Sequence, residues 1–472
     1  MGRRAKIIAT LGPASREPKV VRSLIEAGVD VFRVNFAHDT TQAHRDAIAT
    51  VREQAAEIDK VVGVLVDLPG PKMRTGPIAS GEVALELNSR FVLTAEAIEG
   101  YESRVSTTVE DLAHMVSKND EIFLSDGAIV LRVISIEGAD VVTDVMRPGI
   151  LRSRKGMHLP GAEAHVRAFT PEDETAMEVA VDMGADLVGL SFIKDAQDIQ
   201  RARAAIGEQG PKPLIVAKIE TASAVANLDQ IVPEADLVMV ARGDLGIQTP
   251  LRRVPILQKE IIHTCNEWGR PVITATQMLE SMTRAPLPTR AESADVANAV
   301  LDGTDALMLS EETAVGNDPV NVVRTMSELA ETAEASVESG HRECKDVRSD
   351  AVSWAVARAA WRAAEDLSVA AILCPTRSGS TPRRVSTSRP SMPIVALSES
   401  VRSLGSLAAV WGVELVHLPD TPVAYDDRQD VERVTQAALR AGLVSPGDLV
   451  TLVAGSAGPR AGSTDYLRIV VV

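Results

Sequence analysis

Three residues with complementary chemistry, Lys218, Glu220 and Asp244, stand at the ends of two short apolar runs within residues 214–246. Lys218 and Glu220 are two apart, so on a strand they project from the same side. The second run, Asp236 to Ala241, ends in Arg242, Gly243 and Asp244. Two carboxylates with open positions suit a Mg²⁺ or Mn²⁺ ion that also needs substrate oxygens. A lysine beside them can neutralise a phosphoryl group or hold an enolate. The same charges also suit a plain ion pair between strand ends.

Positioning these groups requires two neighbouring parallel strands. The first run, Leu214 to Ile219, is joined to the second by a segment in which Ala222, Val225, Ala226 and Leu228 recur at helical spacing, which makes one βαβ unit. Charged groups at the carboxyl ends of such strands are where an α/β sheet or barrel builds its active site. Further strand-like runs fall at Lys6 to Thr10, Val31 to Phe36, Val61 to Asp67, Leu187 to Phe192, Val272 to Thr276 and Ala306 to Ser310, with helical patterns between them. Thr170, Pro171 and Asp173 read as N-cap, first helical residue and third residue of one such helix. Eight alternating units are the count for a (β/α)₈ TIM barrel. Its mouth would be ringed by Thr10, Arg33, Asn35, Asp67, Lys194, Lys218, Glu220, Asp244, Thr276 and Ser310.

Two other textures interrupt or follow this pattern. Residues 70–160 contain short alternating runs broken by Gly and Asn, as expected of a small β-barrel lid domain inserted into the barrel. From residue 340 to 472 apolar runs and helices alternate again, as a separate C-terminal α/β sheet domain. The barrel itself then spans residues 1–69 and 161–339.

Composition narrows the partners. The 472 residues carry 49 basic and 65 acidic side chains, a net charge of −16, which argues against nucleic-acid or anionic-membrane partners. Aromatics are 3% of the chain, so the core must be aliphatic. Cys265, Cys344 and Cys374 are scattered and odd in number, giving neither a disulfide framework nor zinc spacing. Without an apolar run of about 18 residues or a signal core, the expected location is the cytoplasm.

Nine segments taken in order, KIIATLGPAS, FRVNFAH, DLPGPKMRTG, RKGMHLPG, KIE, VARGDLG, ATQMLESM, PTRAESADVANAVLDG and TRSGST, closely resemble the pyruvate kinase family over essentially the whole chain. The resemblance implies transfer of the phosphoryl group of phosphoenolpyruvate to ADP, giving ATP and an enolate that is protonated to pyruvate. It places the metal, Mg²⁺ or Mn²⁺, on Glu220 and Asp244. It places Lys218 and Arg33 on the transferring phosphoryl oxygens, and Gly243, Asp244 and Thr276 beside the substrate. Thr276, or a water it orients, becomes the route for enolate protonation. Nucleotide-facing residues map onto Pro13, Asn35, His38, Arg74 and, from the lid, Lys155. The loop Thr376, Ser378, Gly379, Ser380 and Thr381 becomes a site for a phosphorylated small-molecule effector, and the assembly a homotetramer.

Three segments depart from the family pattern. Ala37 stands where serine is common and is followed at Asp39 by a residue other than glycine. Leu68, Pro69 and Lys72 replace Thr-Lys and a glutamate, and Glu311 replaces a glycine. Because the first two changes touch the family's potassium site, Lys72, faced by Asp67, is read as a tethered substitute for the ion, and K⁺ is not expected to be required. Two rival functions fit parts of the sequence. One is a Mg²⁺-dependent lyase or aldolase of the citrate-lyase type, whose barrels also stabilise an enolate; the other is a catalytically silent sensor of phosphorylated metabolites.

Overall fold

The computed structural model describes residues 2–71, 73–125, 127–160, 166–207, 212–336, 350–418, 428–455 and 463–472. Lys72, Cys344, residues 161–165 and residues 337–349, next to or across the expected boundaries near 161 and 340, are among those outside it. Every strand of the barrel begins within two residues of its expected start. They are β1 (Lys6–Thr10), β2 (Val31–Asn35), β3 (Gly63–Asp67) and, after the inserted domain, β12 (Leu187–Leu190), β13 (Leu214–Ile219), β14 (Leu237–Ala241), β15 (Val272–Ala275) and β16 (Ala306–Leu309). All pair in parallel, and the order β1-β16-β15-β14-β13-β12-β3-β2 closes on itself through β1 and β2.

Alternation along each strand sorts its side chains. Ile215, Ala217 and Ile219 face the surrounding helices, whereas Val216 joins Ile8, Val31, Leu65, Leu187, Met239 and Ile273 inside the barrel. On five strands the mouth lies two residues beyond an interior position. Ile8 leads to Thr10, Val31 to Arg33, Leu65 to Asp67, Val216 to Lys218 and Met308 to Ser310. The helix start at Thr170 forms as expected, a capping box in which the Thr170 hydroxyl accepts from Asp173 N and the Asp173 carboxylate accepts from Thr170 N. The connection after β13 departs from expectation. It breaks at Asn227 into Ala222–Ala226 and Leu228–Glu234, with Ala224, Ile231 and Val232 buried and Ala222 and Ala226 exposed.

Inserted after β3 are β4 (Glu82–Leu85), β5 (Arg90–Thr94), β6 (Arg104–Ser106), β7 (Glu121–Leu124), β8 (Ile129–Glu137), β9 (Asp140–Arg147), β10 (Gly149–Arg152) and β11 (Met157–His158). Expected as a small β-barrel, this domain forms a six-stranded sheet, order β11-β7-β8-β9-β5-β6, and a two-stranded ribbon of β10 and β4. The sheet is open, and its edge strands β6 and β11 are only three and two residues long. Its own core is formed by Phe91, Leu93, Ile122, Leu131 and Val141 among others.

The C-terminal sheet runs β19 (Val413–His417), β18 (Ile394–Ser398), β17 (Ala371–Pro375), β20 (Leu449–Ala454) and β21 (Tyr466–Val471), with only the last pair antiparallel. It closes the floor of the barrel. Ala408 and Ala409 join the interior cluster from below, and the carbonyl of Gly405 abuts Gly63 so closely that a Cβ there would lie 2.7 Å away.

Candidate active site

At the opposite end of the barrel a cleft of about 1710 Å³ opens between the strand ends and one edge of the inserted domain. Its wall includes Thr10, Arg33, Asn35, Asp67, Lys218, Glu220, Asp244, Thr276 and Ser310. Lys194, expected in the same ring, is absent from it. Its ammonium turns away to donate to the Val166 carbonyl at 2.7 Å, while its backbone N–H is held by Asp198.

Charge is concentrated where β2, β3, β12 and β13 end. Lys218 Nζ lies 2.8 Å from Glu220 Oε1, 3.1 Å from Asp67 Oδ1 and 2.7 Å from Ser191 Oγ. Arg33 grips the other oxygen of Asp67 with two N–H groups, at 2.8 and 2.6 Å. Burial pushes the Asp67 carboxyl up, but Lys218 and then Arg33 outweigh it, and the net shift is below the ordinary aspartate value. Lys218 moves the other way: burial disfavours its charge, yet Asp67 and Glu220 hold its pKa above that of a free lysine. The cation therefore stays charged in a nearly dry wall, available to a developing negative charge.

Glu220 differs from Asp67. Burial raises its carboxyl to about 7, Lys218 opposes the rise and Asp244 adds to it. Glu220 Oε2 accepts from Phe192 N at 2.7 Å, whereas Oε1 is buried, facing the ammonium with no aligned hydrogen bond of its own. A buried carboxylate whose Oε1 is held only by an ion pair, next to a second carboxylate in an open cleft, suits a hard dication. Among the described residues no group of three or more His, Cys, Asp or Glu is placed to hold a metal. Glu220 and Asp244 are two, which fits an ion completed by substrate oxygens.

Strand ends here carry backbone strain. Thr276 and Gln277 are left-handed at φ 68° and 53°, and Phe192 at φ 56°, conformations costly for β-branched and bulky residues. The turn is held by Arg242, which donates to Thr276 O at 2.6 Å and pairs with Asp295. It presents the Thr276 hydroxyl to Gly243 N–H, from which it accepts at 2.8 Å, while its proton goes to Ala275 O. Asp244 lies in the first turn of the helix Arg242–Gln248.

The expected nucleotide residues divide. Pro13, Asn35 and His38 line the cleft; Arg74 and Lys155 do not. Arg74 donates to Arg154 O, and the Lys155 backbone pairs with Thr75, all within the inserted domain. The edge of that domain facing the mouth is instead Asn119, Asp120, Glu121, Phe123, Gly127 and Arg147. Lys72 lies outside the described residues.

In the C-terminal domain the loop after β17 closes on itself. Gly379, left-handed at φ 76°, donates to Thr376 Oγ1, and buried Thr381 shares a hydrogen bond with Thr464. The helix begins at Ser380, two residues before the expected Pro382, directly after the left-handed Gly379. Ser378 is exposed and donates to Ser380. Sequence reasoning missed Ser191, an apparently neutral serine in an apolar run. Counting by twos from interior Leu187 through Gly189 finds it.

Comparison with known proteins agrees with the barrel and with the C-terminal α/β domain. Residues 2–323 match the family model "Pyruvate kinase, barrel domain", and residues 354–470 match "Pyruvate kinase, alpha/beta domain". The chain is 39% identical to a pyruvate kinase of Thermococcus litoralis, covering 99% of this chain and 98% of that one. It is 39% identical to one of Geobacillus stearothermophilus, covering 100% and 81%. Against pyruvate kinase 2 of a Synechocystis species the identity is 40%, covering 100% and 79%.

Proposed function

Since the chain belongs to the pyruvate kinase family and transfers the phosphoryl group of phosphoenolpyruvate to ADP, we propose that Lys218, Arg33 and the Glu220–Asp244 pair carry that transfer. The observation that supports this assignment is the Lys218 ammonium, buried in the cleft wall 2.8 Å from Glu220 and 3.1 Å from Asp67. Phosphoryl transfer passes through a loose transition state, so catalysis is mainly charge neutralisation and alignment. Lys218 and Arg33 supply the neutralising charge, and Asp67 holds both in place. Glu220 and Asp244 would hold Mg²⁺ or Mn²⁺, which when bound offsets phosphoryl charge and orients substrate oxygens. Substrate entering beside Gly243 takes over the N–H now given to Thr276. The Thr276 hydroxyl, turning its proton from Ala275 O toward the substrate, then delivers it to the enolate carbon directly or through an oriented water, and is reprotonated from solvent.

Pro13, Asn35 and His38 face the nucleotide, and Arg74 and Lys155 reach it when the inserted domain closes and excludes water. Lys72, in the place of a family glutamate, supplies the charge of a monovalent cation, so K⁺ is not required. Ser378 and its loop take a phosphorylated effector. The working form is a cytoplasmic homotetramer.

The metal assignment is tested by titrating Mg²⁺ against ATP formation in Glu220→Gln and Asp244→Asn. Each amide keeps the shape but loses the charge a hard cation requires, so both curves shift to higher metal concentration. Unchanged curves in both variants remove these residues from the site. For Lys72, full turnover in tetramethylammonium buffer is expected; strong activation by added potassium refutes it. For Ser378, Ser378→Asp should abolish activation by sugar phosphates while basal turnover survives.

A further inference from the structure

Lys218 has three N–H donors and no acceptor, and its three polar neighbours are Asp67, Glu220 and Ser191. An ammonium cannot accept, so at the 2.7 Å contact the Ser191 oxygen must be the acceptor. The single proton of that hydroxyl then has one place to go, the Leu68 carbonyl at 2.8 Å. The direction of the chain is therefore fixed: Lys218 Nζ–H to Ser191 Oγ–H to Leu68 O. Every member is buried.

Leu68 is the first residue past β3, where the chain leaves the barrel for the inserted domain. Its N–H donates to Gly189 O at 3.0 Å, so β12 grips both its polar groups. Two residues on, Gly70 is left-handed at φ 63°, and a Cβ there would lie 2.9 Å from the Ser191 Cβ. Gly70 N–H is held at 3.0 Å by Asp173 Oδ1, whose other oxygen accepts from Thr170, just past the returning segment. The outgoing hinge thus rests directly on Ser191. Gly189 completes the arrangement, since a side chain there would meet Asp67 Oδ1 at 3.0 Å and the Lys218 stem at 3.5 Å.

We propose that Ser191 is a positioning residue for the phosphoryl transfer, which fixes the third N–H of Lys218 and ties the ammonium to the hinge of the inserted domain at Leu68 and Gly70. This rests on the assignment of Lys218 to the transferring phosphoryl group. With two N–H groups drawn to carboxylates, the neutral serine decides the remaining orientation of the ammonium. A shift of the hinge carbonyl reorients the hydroxyl, and through it the cation. The Lys218 donor set therefore depends on how the inserted domain sits.

The test is a double-mutant cycle of Ser191→Ala with Lys218→Met, measuring kcat and the KM for phosphoenolpyruvate in the full-length enzyme. Losing a hydrogen bond to a charged group should lower kcat by on the order of tenfold to a hundredfold, with the KM changed by less than about threefold. In the Lys218→Met background Ser191→Ala should have no further effect, because the serine acts only through the lysine. Ser191→Cys, nearly isosteric and a poor acceptor, should repeat the kcat loss and serves if the alanine variant does not fold. A kcat loss of equal factor in both backgrounds, or unchanged kcat in both serine variants, overturns the role of Ser191. Near-normal turnover of Lys218→Met overturns the prior assignment of the lysine.

Discussion

Two buried aspartates at opposite ends of the barrel, Asp67 at the mouth and Asp186 at the floor, show how one scaffold separates chemistry from stability. Asp67 ends β3 and is shared by two cations that answer it from different strands. Asp186 precedes β12, accepts from Val64 N at 2.8 Å and pairs with Arg52 at 2.6 Å, and sits against Gly405 of the C-terminal domain. Burial raises the Asp186 carboxyl more than Arg52 lowers it, whereas at Asp67 the cations prevail. At the mouth, strand-end charges open on a cleft; at the floor, apolar Ala408 and Ala409 fill the space between them. What distinguishes a site is thus a surplus of held charge beside open volume, and burial of a carboxylate alone does not indicate one.

The comparison breaks most sharply at Asp67. Asp67→Asn leaves Lys218 and Arg33 around a neutral amide. We expect turnover to fall by roughly a hundredfold and stability by about 3 kcal/mol, as removing one partner of a buried pair does. A steady-state assay with chemical denaturation checks both, and an active, fully stable variant would make the two aspartates equivalent. The effect at the floor is next in size and purely structural. A Cβ on Gly405 would lie 2.6 Å from the Asp186 carboxylate, so Gly405→Val should cost about 2 kcal/mol with turnover per folded molecule preserved. Loss of activity without loss of stability in that variant would blur the division.

Asp186→Asn gives the smallest effect. Arg52, part-exposed, can turn to water, so about 1 kcal/mol is expected at neutral pH and turnover within twofold of the parent. Its pH dependence carries the sign. The folded Asp186 value is raised, so its stabilising contribution is present below the unfolded value of about 3.9 and is lost as pH rises through the folded one. Asp67 is lowered, so its contribution is present above the unfolded value and is lost as pH falls through the folded one. Relative to the parent, Asp186→Asn should therefore gain stability as pH rises from the unfolded value through the folded one. An opposite slope in thermal melts contradicts the shift.

Much of this was legible in the sequence because barrel strands obey a strict alternation: interior Leu65 and Val216 place Asp67 and Lys218 at the mouth without further information. What escaped the reading depended on tertiary partners. Lys194 is drawn out of the ring by the Val166 carbonyl. The helix expected through Leu228 breaks at Asn227, and its most buried residues are Ala224, Ile231 and Val232, with Val225 and Leu228 only partly buried. The strands β6, β7, β10 and β11 are two to four residues long and carry too little periodicity to stand out. Ser191 has no signal of its own; only the lysine and the hinge on either side give its hydroxyl a direction.

The central claim is that the ammonium at the end of β13 provides the charge on which phosphoryl transfer depends. Measuring ATP formation from phosphoenolpyruvate and ADP by Lys218→Met tests it most directly, with a thermal melt to verify the fold. The account predicts a loss on the order of a hundredfold or more with the fold retained. Turnover within a few-fold of the parent would contradict it.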